Sequence, residues 1–296
     1  MIVPQTTLLP CTEVPSDTAW LSAQPGPVIA YGDSEAAGAD VVVADIDAAQ
    51  ALAKRIEAWP LTTTTLVQVL RSIELLPPQQ ALDLESLAYA TLQGGPEFAA
   101  WLRQRETPSL SPPPATEAVL LRRDGPVVEA VLNRAADRNP INVEMRDALV
   151  AALSLLEADD SITELRLRGE GACFSIGGDL REFGTLPSPG VAHWVRTVQS
   201  PARLLAKLGG RVTAYVHGAC IGSGLELPAF AARLVAHRNT FFQLPELHLG
   251  LIPGAGGTLS ITRRIGRQRL AWLVLSGRRI NARTALAWGL VDEVLH

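Results

Sequence analysis

Two glutamates stand in apolar sequence beside glycine turns within Ala214–Gly257, and this restricts the chain more than any other feature. Gly222-Ser223-Gly224 precedes Glu226, which is flanked by Leu225, Leu227 and Pro228. Glu246 is followed by Gly250 and by Gly254-Ala255-Gly256-Gly257. Burying a carboxylate without a partner is costly, so each glutamate needs either a structural pairing or a chemical task.

The turns are not phosphate loops of the usual kinds. Gly254–Thr258 has no Gly-Lys pair, and Gly222-Ser223-Gly224 has no third glycine of a dinucleotide fingerprint. Ser223 is not a nucleophile elbow, because Ile221 and Leu225 occupy the positions that motif gives to glycine. Geometry offers a different reading. A strand over 212–216 enters the first turn, and a helix over 225–233 leaves it, with Pro228 in the helix's first turn. Free N–H groups at such a turn can hold an oxyanion. Phe174-Ser175-Ile176-Gly177-Gly178-Asp179 has the same form, so two turns that meet would present two donors to one carbonyl oxygen.

The remainder of the chain supplies support. Its 296 residues, 47% hydrophobic and 19% charged, suit one large or two ordinary globular domains. A net charge of −4 argues against nucleic-acid binding through overall positive charge. Cys11, Cys173 and Cys220 are too scattered for a zinc pattern and read as reduced, buried thiols. The first residues have no basic segment followed by an apolar run, and no stretch is long enough to span a bilayer. A soluble, cytoplasmic protein is expected.

Along the chain, residues 1–24 read as an irregular lead-in, with strands at 28–31 and 41–44. A helix capped by Asp47 should cover 48–58, and Thr62–Leu70 begins β-rich. Helices are expected at 79–92 and 97–105, with Trp20, Trp59 and Trp101 in the core of this first part. Thr107–Thr116 is proline-rich and marks a domain boundary, with an N-terminal extension over 1–115. Beyond it the pattern becomes two strands and a helix, repeated. Strands at 119–122 and 127–132 lead to an amphipathic helix over Asn142–Ala158, whose apolar face is Met145, Leu149, Ala152, Leu153 and Leu156. Leu165–Arg168 is the next strand, and Ala202–Leu208 the next helix.

Over about residues 117–296 the chain resembles the enoyl-CoA hydratase/isomerase (crotonase) superfamily. The resemblance is carried by Asn133-Arg134 with Arg138-Asn139, by Cys173–Asp179, by Gly218–Leu227, by Leu244–Thr258 and by Thr284–Val291. It implies an α/β fold, a crotonase-like spiral of β-β-α units over 116–296, preceded here by a small mixed α/β domain.

The resemblance also implies roles. The N–H groups of Ile176 and Ser223 would form an oxyanion hole for an acyl-CoA thioester carbonyl. Glu226 and Glu246 fall on the hydratases' acid/base pair, which holds water for syn addition across an α,β-double bond. Family isomerases often keep only the carboxylate at Glu246, so the pair favours hydration. Other enolate reactions on an acyl-CoA, or a non-catalytic binding protein, are the alternatives. Arg138, Ser175, Gly177, Asp179 and Gly222 are candidate substrate or CoA contacts, though Asp179 also suits fixing its own turn. His217 and His248 suit packing. The arginines at 263, 264, 267 and 269 suit a solvated or inter-subunit face rather than CoA phosphates.

Coenzyme A, as part of the substrate, is the only cofactor implied, and no metal is. A homo-oligomer is expected, with no nucleic-acid or membrane partner. The sequence stops shortly after Gly289-Leu290-Val291, where the family continues with helices that roof the acyl pocket. Residues 25–106 are expected to pack on the core and partly replace them.

Overall fold

The computed structural model describes residues 5–105 and 116–296. Most of the proline-rich boundary segment lies outside the described residues. The first part holds β1 (Thr7–Pro10), α1 (Thr18–Ser22), β2 (Val28–Tyr31), β3 (Val41–Val43) and α2 (Ile46–Ile56). It continues with α3 (Pro60–Ile73), α4 (Pro78–Gln93) and α5 (Pro96–Gln104). β1, β2 and β3 form a parallel sheet in that order.

Three local expectations change here. From residue 5 on, the lead-in is ordered, because β1 pairs with β2 and the Asp17 side chain caps α1 by accepting from Ala19 N at 2.8 Å. The cap of α2 is Asp45, not Asp47. Thr62–Leu70 is helical, not extended. Pro60 opens α3, and Leu66, Val69, Leu70 and Ile73 recur at helical spacing on its buried side. That packing outweighs the β-propensity of the threonines.

The second part begins with β4 (Val119–Asp124), β5 (Val127–Leu132), α6 (Val143–Ala158) and β6 (Glu164–Gly169). Next come α7 (Pro189–Val198), α8 (Pro201–Leu208), β7 (Val212–Val216), β8 (Ala219–Ile221) and α9 (Ser223–Glu226). β9 (Arg233–His237), β10 (Phe241–Gln243), α10 (Gly257–Ile265) and α11 (Arg267–Ser276) follow. β11 (Ile280–Asn281), α12 (Ala282–Trp288) and β12 (Glu293–Leu295) end the chain given. Asn142 caps α6, and the five residues expected on its apolar face are all buried.

The repeat is visible in the pairing. The first strands of the units, β6, β7 and β9, lie parallel in a six-stranded sheet ordered β12-β9-β7-β6-β5-β4. The second strands, β8 and β10, pair in a small sheet with β11. Ser175 joins its edge through a parallel bridge to Cys220. Each unit therefore steps from the large sheet to the small one and returns through a helical segment. Gly222 directly follows β8 of the small sheet and Gly177 lies just beyond the Ser175 bridge, whereas Gly254–Gly257 leads into α10.

One continuous hydrophobic cluster runs through both parts. It includes Leu66, Tyr89 and Phe98 from the first part together with Leu225, Leu251 and Leu273 from the second. Trp59 meets His248 edge-on at 5.3 Å between ring centres, and Trp101 meets Phe183 at 6.2 Å. These two tryptophans lie on the seam between the parts instead of inside the first. Trp20 packs on a smaller separate cluster around Leu21 and Val28. Arg71 pairs with buried Asp40 at 2.6 Å, and Arg267 of α11 reaches the same loop by donating to Ala39 O at 2.8 Å.

Among the described residues no helix is long and apolar enough to cross a membrane, and no three His, Cys, Asp or Glu cluster as metal ligands would.

Candidate active site

The first glycine turn is tighter than its sequence suggested. The helix after it is a single turn, α9, followed by a 3₁₀ turn at Pro228–Phe230, and β9 starts at Arg233. Pro228 cannot donate to a continuing α-helix, so it opens the tighter turn. Gly222 adopts φ 50° and ψ −125°, a conformation that side chains disfavour. A Cβ there would lie 2.7 Å from Oε1 of Glu246. The glycine thus brings the second glutamate against the first turn.

The two expected donor turns do meet. A Cβ on Gly177, at φ 87°, would lie 2.5 Å from the Ile221 carbonyl, and one on Gly224 would strike Ser175. Ile221 N donates to Ser175 O at 3.2 Å. Among the described residues the Ser223 N–H has no hydrogen-bond partner. Ile176 N–H differs, since it donates to Arg138 O at 3.2 Å.

Glu226 and Glu246 are 2% and 8% exposed, so both are taken out of water. Glu226 Oε2 accepts from Ala255 N at 2.7 Å and from Gly257 N at 2.9 Å. Glu246 opens a 3₁₀ turn over Glu246–Leu249, and its Oε2 is buried with no partner among the described residues. Burial pushes the Glu226 carboxyl well above its ordinary value, and the charges of Glu246 and Glu85 push it the same way. Burial, opposed by its own backbone N–H, raises Glu246 to about 8.

Glu85 is the residue the sequence reading missed. It lies on α4, 2% exposed, and accepts from Gly256 N at 2.7 Å through Oε1. Its Oε2 accepts from Thr258 N at 2.9 Å and from Thr258 Oγ1 at 2.6 Å. Burial raises it to about 7 despite these bonds and the nearby charge of Arg196. The signal was present: Glu85 falls on the buried stripe of α4 with Ala81, Leu82, Tyr89 and Leu92. A carboxylate on an apolar stripe points to a distant donor. Tyr89, one turn on, packs where a Cβ of Gly254 would lie 2.3 Å from its ring.

The other candidates are placed as follows. Ser175 Oγ donates to Asn139 O at 2.7 Å and accepts from Gly177 N at 3.1 Å, so its hydroxyl is engaged within the turn. Asp179 accepts from Arg181 N and pairs with the Arg181 guanidinium at 2.6 Å. Arg138 is exposed at φ 64°. His217 Nε2 lies 2.9 Å from Gly171 O, and His248 Nε2 lies 2.6 Å from Arg55 Nη2. Of the arginine group, Arg264 donates to Ala229 O at 2.8 Å, Arg267 holds the Ala39 loop, and Arg269 donates to Trp288 O at 3.0 Å. Those three brace this chain; Arg263 is exposed.

The class defined by these observations is a β-β-α spiral with paired, buried carboxylates at its glycine turns. A model of the family described as enoyl-CoA hydratase/isomerase matches residues 122–296. The 2,3-dehydroadipyl-CoA hydratase of Escherichia coli is 35% identical over 176 residues, covering 60% of this chain and 68% of that protein. The 1,2-epoxyphenylacetyl-CoA isomerase of the same organism is 34% identical over 183 residues, covering 60% and 70%. A solved enoyl-CoA hydratase from Thermoplasma volcanium superposes with a TM-score of 0.54 at 31% identity, over 61% of this chain and 72% of that one. The protein belongs to the enoyl-CoA hydratase/isomerase (crotonase) superfamily, and its α/β fold is that family's fold. The chain spans 61% to 70% of the length of the first curated relatives it matches, and residues before 122 lie outside the family match.

Proposed function

We propose that the protein is an enoyl-CoA hydratase, adding water across the α,β-double bond of an acyl-CoA thioester or removing it. The observation that carries this reading is the buried pair Glu226 and Glu246 around one glycine turn, with Gly222 excluded from bearing a Cβ by Glu246 Oε1. Hydration needs one carboxylate to take a proton from water and one carboxyl to deliver a proton to Cα. Burial raises both acids, and the charge of Glu246 raises Glu226 further, so the pair retains protons near neutrality and supplies both forms. Two N–H donors favour Glu226 as the ionised member, and the unpartnered Oε2 of Glu246 suits the acid.

The thioester oxygen would sit on the free Ser223 N–H. Ile176 N–H joins as second donor once it exchanges the Arg138 carbonyl for the substrate oxygen. Such donors act on the enolate charge that develops in the transition state. The coenzyme is part of the substrate in this reading, and the protein acts in the cytoplasm as a homo-oligomer.

A second reading, double-bond isomerisation by Glu246 alone, is favoured by one observation. Glu226 Oε2 already accepts two N–H groups, whereas Glu246 Oε2 is unpartnered. A panel of enoyl- and acyl-CoAs incubated in water and in deuterium oxide, with products read by mass, separates the two. Hydration adds the mass of water. Isomerisation leaves the mass unchanged in water and incorporates deuterium. No change of either kind across the panel overturns both.

A further inference from the structure

The turn from Gly254 into the start of α10 presents four successive N–H groups, and two carboxylates divide them alternately. Ala255 and Gly257 donate to Glu226 at 2.7 and 2.9 Å, while Gly256 and Thr258 donate to Glu85 at 2.7 and 2.9 Å. Glu226 belongs to the spiral, but Glu85 comes from α4, 171 positions earlier than Gly256. We propose that Glu85 is a positioning residue for the chemistry at Glu226. By holding the far side of the turn it keeps the Ala255 and Gly257 N–H groups aimed at the Glu226 carboxylate, which makes the first part of the chain a component of the active site.

The inference rests on the acid/base reading of Glu226 given above. Three features support it. The turn is rich in glycine, whose backbone freedom must be restrained from outside if a donor pair is to stay fixed. Glu85 supplies that restraint through two backbone bonds and one from Thr258 Oγ1, all buried. Its charge also acts on the pair, since it raises both Glu226 and Glu246.

The groups facing Glu85 are few. Arg196 of α7 approaches it with opposite charge, stacks over Tyr89 at 4.5 Å and donates to Ser86 Oγ at 3.1 Å. His193 Nδ1 lies 2.9 Å from the same hydroxyl. Tyr89, Glu226 and Glu246 complete the set.

The test is Glu85→Gln, which keeps the shape, removes the charge and turns one acceptor towards an N–H donor. The full chain carrying ¹³C at glutamate Cδ is titrated by NMR, with Glu226 and Glu246 assigned from their own Gln variants. In E85Q the lost like charge should lower the Glu226 midpoint by about one pH unit, whereas in Thr258→Val, which keeps that charge, loosened Ala255 and Gly257 donors should raise it. For the CoA thioester that wild type turns over, kcat should fall about tenfold with KM little changed, as misplacement of a catalytic group predicts. The acid limb of the kcat profile should move down with the midpoint. Thr258→Val should give a smaller fall in kcat in the same direction.

Unchanged midpoints and unchanged kcat in folded E85Q overturn the inference, including where the melting temperature drops. If wild type turns over no thioester, the functional reading fails. The amide resonances of Ala255 and Gly257, compared in ¹⁵N-labelled wild type and E85Q, then decide whether Glu85 holds these donors on Glu226, and unchanged resonances overturn the inference.

Discussion

Ile176 N–H donates to the Arg138 carbonyl at 3.2 Å, so one of the two donors expected for an oxyanion is occupied. Arg138 cannot swing away freely. It and Asn139 both have positive φ, and the Asn139 side chain donates to Glu170 O at 2.8 Å and Cys173 O at 3.1 Å. At 3.2 Å the bond is at the long end of the normal range, and a thioester oxygen can compete for it. A non-reactive acyl-CoA analogue should therefore shift the amide resonances of both Ser223 and Ile176. A shift of Ser223 alone would show a single-donor site, short of about 2.7–4 kcal/mol of transition-state stabilisation.

The carboxylates separate the competing reactions. Under hydration, Glu226→Gln and Glu246→Gln should each lower kcat by about 10²–10⁴-fold with the fold intact. Steady-state kinetics on an enoyl-CoA, with circular dichroism as the control for folding, reads this. Full activity of E226Q with loss in E246Q would transfer the protein to the isomerase reading.

Gly222 ties backbone to chemistry. In Gly222→Ala the new methyl would meet Glu246 Oε1 at 2.7 Å in a conformation that L-residues disfavour. Stability should fall by about 1–3 kcal/mol from backbone strain, measured by denaturant unfolding. Because Glu246 must also move, kcat should drop about tenfold or more. Wild-type turnover in this variant would place the Glu246 carboxyl outside the reaction.

Stability should depend on pH in an unusual direction. Glu85 and Glu246 are raised from 4.5 to about 7 and about 8. Between those limits the folded protein keeps protons that the unfolded chain has released. The stability these two groups contribute is then fully present below about 4.5 and is lost as pH rises towards 8. Melting temperatures across pH 5–9 should fall for wild type and fall less for Glu246→Gln. Equal slopes in the two proteins would contradict the raised value.

Much of this protein is legible in its residues because much of it is local. The apolar face of α6, the turn between β4 and β5 and the glycines beside Glu226 and Glu246 are short-range patterns, each decided by neighbours within one or two turns. Motif order was enough to place the two glutamates and both donor turns on one family fold. Where long-range packing competes with local preference, the sequence is less informative. Thr62–Leu70 is helical because Leu66, Val69, Leu70 and Ile73 find a buried surface, and threonine's extended preference is weaker than that burial.

The opening stretch shows the same division. Its sequence alone identified two carboxylates that required partners. Only the tertiary structure decided how each is placed: Ala255 and Gly257 partner Glu226, a third carboxyl, Glu85 of α4, clasps that turn through Gly256 and Thr258, and Glu246 lies against Gly222 with its Oε2 unpartnered among the described residues. The raised proton affinity of all three follows first from burial, with neighbouring carboxylates raising Glu226 and Glu246 further, and both causes depend on distances across the fold and not on neighbours along the chain.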